Sequence, residues 1–355
     1  MNPWSWRQWL APEVVVLIAL ALYPLVLESS LPLTSELTVI FIFSIVALGL
    51  NVVTGYTGLL QLGIAAFFAI GAYVTAILTI PSYPFQWYYE PALIAGVAVT
   101  AFAGLVLGAP VLRLRGDYLA LVTLGFGEVV NLSLLNLDFI TSGSAGLSPV
   151  AAHSAGAMVG APIPWSSGTF PFFYPTLVIL IFVVVGLRWL ENSRLGRAWI
   201  AVREDELAAT CMGINPAKIK LLAFAVGASL AGLGGALYVA QQTNANPAGM
   251  DFNRSITILC CLILGGLGSI RGTLLGVFLV IGYDRIFSPF VDEWIQTNFP
   301  DYDFLKFSNY KLMLFGLVLI LMMRFRPQGL LPSERILHEM ESDTGSRGTE
   351  GTQRK

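Results

Sequence analysis

The chain has 355 residues, of which 55% are apolar and only 12% are charged, and its mean hydropathy is +0.72. Soluble domains carry about twice that share of charged residues, and a water-soluble fold of this length has no way to bury so much apolar surface. The composition therefore excludes an ordinary soluble protein. A net charge of −2 offers no general attraction to nucleic acid.

Ten apolar segments come close to the length needed to cross a bilayer core of about 30 Å, which is on the order of 20 helical residues. The first is not followed by a small-residue cleavage site, so we expect a retained helix rather than a removed signal peptide. We predict an all-α polytopic membrane protein with about ten transmembrane helices over residues 1–330, and a disordered polar tail over 331–355. The predicted helices are 13–28, 37–55, 59–79, 91–112, 117–137, 171–190, 218–240, 255–270, 272–289 and 310–324.

The basic residues orient these helices. With the N-terminus in the cytoplasm and ten spans threaded alternately, 16 of the 20 Lys and Arg residues lie on the inner side. The four on the outer side are Arg254, Arg285, Lys306 and Lys311. The long outer loop 138–170 contains no Lys or Arg at all. An excess of basic residues on the cytoplasmic side is typical of membrane proteins, so we expect both termini in the cytoplasm.

Small residues recur every four positions in several predicted spans, as in Gly227, Ala231 and Gly235. In lipid, such a face lets helix backbones approach closely, and dispersion forces then hold the helices together. The pattern predicts a tightly packed helix bundle.

Glu128 is the one acidic residue near the middle of a predicted span, and Asn131 follows three residues later, close to the same helix face. A charge at the bilayer centre costs about 2.5–3.5 kcal/mol, so we expect Glu128 to face the interior of the bundle. It either lines the path or gate of a transported molecule, or is a hydrogen-bonded packing element. Asn51 and Gln61 are two further polar candidates for the path.

Catalytic and metal-binding residue types are scarce. The cysteines, Cys211, Cys260 and Cys261, lack the spacing of metal ligands, and the only histidines are His153 and His338. These residues cannot supply a Ser/His/Asp or Cys/His catalytic arrangement. None of the five lysines stands in a Walker A pattern. We predict a non-catalytic chain without metal or cofactor, whose work is driven by an ion gradient or by a partner.

The inner loop 191–217 contains a predicted short helix from Glu204 to Met212. Acidic residues are favoured in a first helical turn, where the helix dipole is positive, and Gly213 suits a left-handed stop. Asn215 and Pro216 form a cap and first-turn pair for the next transmembrane helix. Leu207 and Cys211, four residues apart, give the helix one small apolar edge. The helix therefore suits docking into a groove of another protein, and it equally suits an ordinary interfacial position. The residues that form it or end it are Glu204, Asp205, Glu206, Leu207, Ala208, Ala209 and Gly213.

Six segments together resemble the LivM-type permeases of branched-chain and neutral amino-acid ABC importers, over roughly residues 40–330. They are Ala47-Leu-Gly-Leu-Asn51, Gly63 to Tyr73, Leu112 to Glu128, Arg203 to Asn215, Leu264 to Gly272, and Arg326-Pro-Gln-Gly-Leu330.

The resemblance implies that Glu204–Gly213 is a coupling helix seated in an ATPase subunit, and Glu206, Ala208, Ala209 and Gly213 match the family's pattern there. It also implies a bacterial inner-membrane complex with a LivH-type permease, two ABC ATPase subunits and a periplasmic amino-acid-binding protein.

Two departures from the family bear on the substrate: Thr141 to Leu147 stands where a Thr-Gly-Gly segment is usual, and Gln61 and Ile64 stand near the usual positions of Ser and His. A urea or amide importer permease therefore remains an alternative, as does an ion-coupled secondary transporter. A secondary transporter is expected to hold several ionisable residues inside the membrane, whereas Glu128 is nearly alone.

Overall fold

A computed structural model describes residues 31–80, 82–111, 117–148, 172–298, 310–326 and 328–331. Over these residues the chain is nearly all helical, and its one β-type contact is an isolated antiparallel bridge between Leu147 and Ala245. The predicted all-α class is confirmed for this part of the chain, whereas the predicted count of about ten transmembrane helices is not. The predicted first helix, 13–28, and the tail from residue 332 lie outside the described residues.

Thirteen α-helices follow one another in the described residues. They are α1 (Leu31–Leu50), α2 (Ile64–Thr79), α3 (Tyr89–Val111), α4 (Asp117–Asn136), α5 (Asp138–Thr141), α6 (Phe173–Glu191), α7 (Arg194–Glu204), α8 (Glu206–Cys211), α9 (Pro216–Gln242), α10 (Phe252–Gly265), α11 (Ile270–Gly282), α12 (Ser288–Asn298) and α13 (Lys311–Phe325). Two π-helical segments, Asn51–Tyr56 and Tyr283–Phe287, continue α1 and α11, and two 3-10 turns lie at Gly143–Ala145 and Pro247–Gly249.

Seven helical stretches in the described residues are long and apolar enough to cross a membrane: Leu33–Tyr56, Tyr89–Val111, Tyr118–Asn136, Phe173–Glu191, Pro216–Gln242, Pro247–Gly265 and Ile270–Thr297. Two shorter apolar helices cover Ile64–Thr79 and Met313–Phe325. Each predicted span other than 13–28 overlaps one of these nine. Hydropathy therefore located these nine helices, although it overestimated the length of the predicted helix 59–79.

Helix α9 is the centre of the bundle and contacts α1, α2 and α3. The contacts depend on glycines, because a Cβ atom built on Gly71 would lie 2.3 Å from the carbonyl oxygen of Gly232, and one on Gly235 would lie 2.0 Å from that of Phe68. Backbones this close leave no room for a side chain, which confirms the tight packing predicted from the four-residue spacing.

The segment between the first two membrane helices is not helical. After the π-segment Asn51–Tyr56 the chain turns at Gly58 (φ +71°) and does not become helical again until Ile64. Helix α2 therefore begins five residues later than predicted. Side chains from distant helices accept from amides just before and at the start of α2: Thr123 Oγ1 accepts from Leu62 N (3.1 Å), and Ser255 Oγ accepts from Ala65 N (3.1 Å).

Several loops gather at the same end of the bundle. Arg203, in α7, hydrogen-bonds the Gly55 carbonyl, and Gly268 N bonds Asn51 Oδ1. The segment 328–331 joins them there, since its Leu331 N bonds the carbonyl of Gly265 (2.9 Å). At the opposite end the Tyr83 hydroxyl donates to the carbonyl of Ile140, and the Leu147–Ala245 bridge lies toward that end but buried within the bundle. This grouping agrees with the alternation of sides predicted from the basic residues.

Candidate functional site

The loop 191–217 holds two helices, not the single helix predicted. Ser193 begins α7 by accepting hydrogen bonds from the amides of Leu195 and Gly196. Asp205 separates the two helices and caps α8, since its Oδ1 accepts from Leu207 N (2.8 Å) and Ala208 N (3.0 Å). The prediction that Glu204, Asp205 and Glu206 share one first turn is therefore wrong. Glu204 ends α7, Asp205 is the cap, and only Glu206 lies in the first turn of α8.

The predicted end of this helix is confirmed. Gly213 has a φ of +83°, and its amide donates to the carbonyl of Thr210 (3.0 Å). A Cβ atom at Gly213 would meet nothing within 4 Å, so the site demands glycine for its backbone conformation and not for space. Asn215 then caps α9 through Lys218 N (3.2 Å), with Pro216 in the first turn. The loop is thus short, capped and joined directly to a membrane helix.

Helix α8 presents an apolar edge outward. Leu207 is 76% exposed and Met212 is 83% exposed, and Cys211 is exposed as well. Ala209 points the other way and is buried. Glu206 forms an ion pair with Lys220 of α9 (2.7 Å), which holds α8 against the start of that helix. The edge expected to dock is therefore free of contacts within the described residues.

Trp199 fixes α7 to the bundle. Its side chain is 1% exposed, its ring stacks on that of Tyr56 (centroids 6.3 Å apart), and its Nε1 donates to the carbonyl of Ile219 (2.8 Å). The Tyr56 hydroxyl donates in turn to Glu191 Oε2 (3.4 Å). Trp199 was not among the predicted site residues, although a single tryptophan in a loop rich in charged residues is a signal that it is anchored.

Arg203 is the second anchor, and it was also missed. Its Nη1 donates to the carbonyl of Gly55, and its side-chain stem lies along Gly58, where a Cβ atom would come within 3.0 Å of the Arg203 Cγ. The π-segment in which Gly55 sits is of a kind often found at functional sites. Arg203 therefore ties the two-helix loop to the inner end of the second predicted span.

Asn51, one of the candidate path residues, lies at the centre of this junction. It is 1% exposed, and its Oδ1 accepts a hydrogen bond from Gly268 N (2.9 Å). A Cβ atom on Gly55 would collide with the same oxygen. Asn51 thus joins the π-segment to the turn between α10 and α11, and Arg203 holds the other side of that segment.

Gln61 is buried with its hydrogen-bonding groups unused. It is 1% exposed, and neither its Nε2 nor its Oε1 has a partner among the described residues. An unsatisfied buried polar group costs about 1–3 kcal/mol, so a water molecule or a passing solute has two strong contacts available here. Its position in the non-helical segment before α2 suits a path residue.

Glu128 is half-buried and lies at the edge of the exposed face of α4, not at its centre. On the same face of α4, Leu121 is 63% exposed, Leu132 is 53% exposed, and a Cβ on Gly125 would meet nothing within 4 Å. Positions 121, 125, 129 and 132 follow the helical period and form one face turned away from the bundle, and Glu128 lies beside that face. Asn131 lies nearer the covered side, and its buried Oδ1 has no partner among the described residues.

The comparisons with known proteins agree on one family. The family model described as the permease component of branched-chain amino acid transport systems matches residues 33–323. The chain is 38% identical to the LivM permease of Escherichia coli over 91% of its own length and 75% of that protein. It is 29% identical to BraD of Pseudomonas aeruginosa (84% and 94%), and 26% identical to LivH of Salmonella typhimurium (73% and 84%).

No solved structure matches the chain. The family model nevertheless covers most of its length, from the second predicted span to the last. It includes the capped loop with its exposed edge and the Asn51–Arg203 junction, so the site described above lies inside the matched region. The chain belongs to the family of permease components of branched-chain amino acid transport systems.

Proposed function

We propose that this chain is the membrane-spanning subunit through which an ABC importer moves branched-chain and other hydrophobic neutral amino acids into the cytoplasm. The observation that carries the proposal is α8: a capped helix with an exposed apolar edge, fastened to the membrane helices by Trp199 and Arg203. A permease powered from outside needs such an element. The names of its relatives support amino acids as the cargo.

The subunit is non-catalytic, and its energy comes from ATP hydrolysed by partner subunits. Helix α8 seats its Leu207 edge in an ATPase, with Met212 beside it. A shift of the ATPase then moves α7, which pulls on the Gly55 carbonyl through Arg203 and on Tyr56 through Trp199. Because Asn51 joins that segment to the turn at Gly268, α1, α10 and α11 respond together.

The second partner is a LivH-type permease that covers the exposed face of α4. Only 17% of the 18-residue apolar stretch of α4 is buried within the chain, compared with 61% of the corresponding stretch of α9. Lipid would make Glu128 beside that face cost about 2.5–3.5 kcal/mol, whereas a second permease facing it across a water-filled path would remove the cost. A periplasmic amino-acid-binding protein delivers the cargo at the outer end.

Reconstitution tests this function. We expect leucine uptake into proteoliposomes that contain the chain, a LivH-type permease, two ATPases and the binding protein, and only when ATP is supplied to the ATPase side. Omitting any one subunit should abolish uptake. Uptake by this chain alone under an ion gradient would establish a secondary transporter, and transport of urea without leucine would establish the amide alternative.

The topology we propose has about ten spans in a bacterial inner membrane, with both termini in the cytoplasm. It is supported by the 16-to-four division of basic residues and by the gathering of the predicted inner loops at one end of the bundle. In a variant lacking the native cysteines, Ser193→Cys and Ser154→Cys should react with an impermeant maleimide from opposite sides. Reaction of both from the same side would refute the ten-span threading.

A further inference from the structure

Arg254 lies deep in the bundle, although the charge threading placed it on the outer side. Its guanidinium carbon is 5.0 Å from the ring centroid of Phe43. Phe43 is ten residues past Leu33 in a span that ends at Tyr56, so it is about 15 Å from the outer end of a helix about 36 Å long. Arg254 is therefore near the middle of the membrane, at a depth where a charge is rare.

The short loop before Arg254 explains this depth. The bridge between Leu147 and Ala245 lies inside the bundle, because the carbonyl of Ala245 also accepts from the hydroxyl of Tyr73 in α2 (3.2 Å). The turn Pro247–Gly249 contacts α4, and α10 then begins at Phe252. The loop 243–251 thus dips inward and carries Arg254 with it.

The charge of Arg254 has no acidic partner among the described residues. Its Nε donates to the carbonyl of Gly249 (3.0 Å), and its backbone amide, not its guanidinium, bonds Asp251 Oδ1 (3.3 Å). The second oxygen of Asp251 accepts from Asn253 Nδ2 (2.6 Å). The side chain is half-buried. No described residue accepts a hydrogen bond from either of the two NH₂ groups of its guanidinium.

The contacts that Arg254 makes stabilise it by less free energy than its charge costs at this depth in the membrane. A cation–π contact contributes about 0.5–2 kcal/mol, whereas an arginine at the membrane centre costs at least about 2.5–3.5 kcal/mol. A planar guanidinium with free paired donors matches the two oxygens of a carboxylate. The surroundings are polar on one side, where the Ser255 hydroxyl accepts a hydrogen bond from an amide at the start of α2. They are aromatic on the other side, where Phe43, Phe68 and Tyr238 pack together.

We propose that Arg254 binds the carboxylate of the amino acid as it crosses the membrane, with the guanidinium pre-positioned by the Phe43 ring and the Gly249 carbonyl. This inference rests on the proposed function and adds a substrate contact to it. Every α-amino acid carries the recognised group, so Arg254 holds the common end of the cargo while apolar surfaces meet its side chain.

The test measures binding of radiolabelled leucine to the assembled complex in nanodiscs, without the binding protein. Unlabelled 4-methylpentanoate, which keeps the carboxylate but lacks the amine, should compete. Leucinol, which keeps the amine but lacks the carboxylate, should not. Arg254→Gln should weaken leucine binding about tenfold or more, the effect of losing a charged hydrogen-bonding partner, and Arg254→Lys should retain part of it. The matched control is Arg285→Gln, an arginine already within 3.6 Å of Glu36, and it should leave binding unchanged.

The outcomes separate this inference from the function on which it rests. A wild-type complex that neither binds nor transports leucine contradicts the proposed function. A complex that transports leucine but shows no saturable binding, or in which leucinol competes as well as leucine, overturns the role of Arg254, and this comparison needs no mutant. Full binding by Arg254→Gln overturns it too. Loss of assembly in Arg254→Gln, combined with equal competition by leucinol, would identify a carboxylate of a partner subunit as the occupant.

Discussion

Replacing Leu207 by Asp is expected to abolish ATP-driven uptake while the chain still inserts in the membrane and reaches its normal amount. Leu207 is 76% exposed and contacts no core, so the substitution leaves the fold intact. It places a charge on the apolar edge that we propose enters the ATPase, where desolvating a carboxylate costs several kcal/mol. The measurements are uptake and co-purification of the ATPase with the tagged chain.

Leu207→Met is the matched control, since it preserves the apolar edge and should keep uptake near normal.

Two substitutions of Gly213 provide a second test of the same helix. Because nothing lies within 4 Å of a Cβ there, Gly213→Val and Gly213→Asn differ chiefly in how well each residue tolerates φ +83°. Valine adds about 1 kcal/mol or more of backbone strain and should uncouple the complex, whereas asparagine should function. Normal uptake by both Leu207→Asp and Gly213→Val would end the coupling proposal.

Replacing Arg203 by Met is expected to preserve binding of the ATPases and to impair transport of the amino acid. The apolar edge of α8 is unchanged, so the ATPases should still co-purify and hydrolyse ATP. Uptake should fall about tenfold or more, because a hydrogen bond from a charged donor contributes about 1.5–3 kcal/mol and this one links α7 to the π-segment at Gly55. The ratio of leucine transported to ATP hydrolysed is the quantity to measure.

Arg197→Met is the control for Arg203, since Arg197 lies in the same helix, is exposed, and donates only to the carbonyl of Asn192 nearby (2.8 Å). It removes an equal charge without touching the membrane helices and should transport normally. Equal transport per ATP in the Arg203 and Arg197 variants would show that motion reaches the bundle by another route, with the Trp199–Tyr56 stack as the remaining link.

Local features of the molecule could be predicted because their causes lie within a few residues of each other. A bilayer core of fixed thickness makes hydropathy a direct measure of a span, so the helices from 37–55 to 310–324 were located. Caps depend on bonds within one turn, which is why the Gly213 stop and the Asn215–Pro216 start were identified correctly. The resemblance of six segments to LivM-type permeases agrees with the family match.

Other features depended on partners far away in the chain, and only the tertiary structure decided them. The chain from Gly58 to Gly63 was predicted as part of an apolar helix, yet it is not helical, and Thr123 and Ser255 accept hydrogen bonds from amides within it and just after it. Helix α7 was not predicted, and the predicted helix from Glu204 begins only at Glu206, because the side chain of Asp205 caps it there. The face of Glu128, the roles of Trp199 and Arg203, and the depth of Arg254 each follow from contacts across the bundle. Hydropathy reports how much a segment prefers lipid, but not which side chains from distant helices satisfy its backbone or its charges.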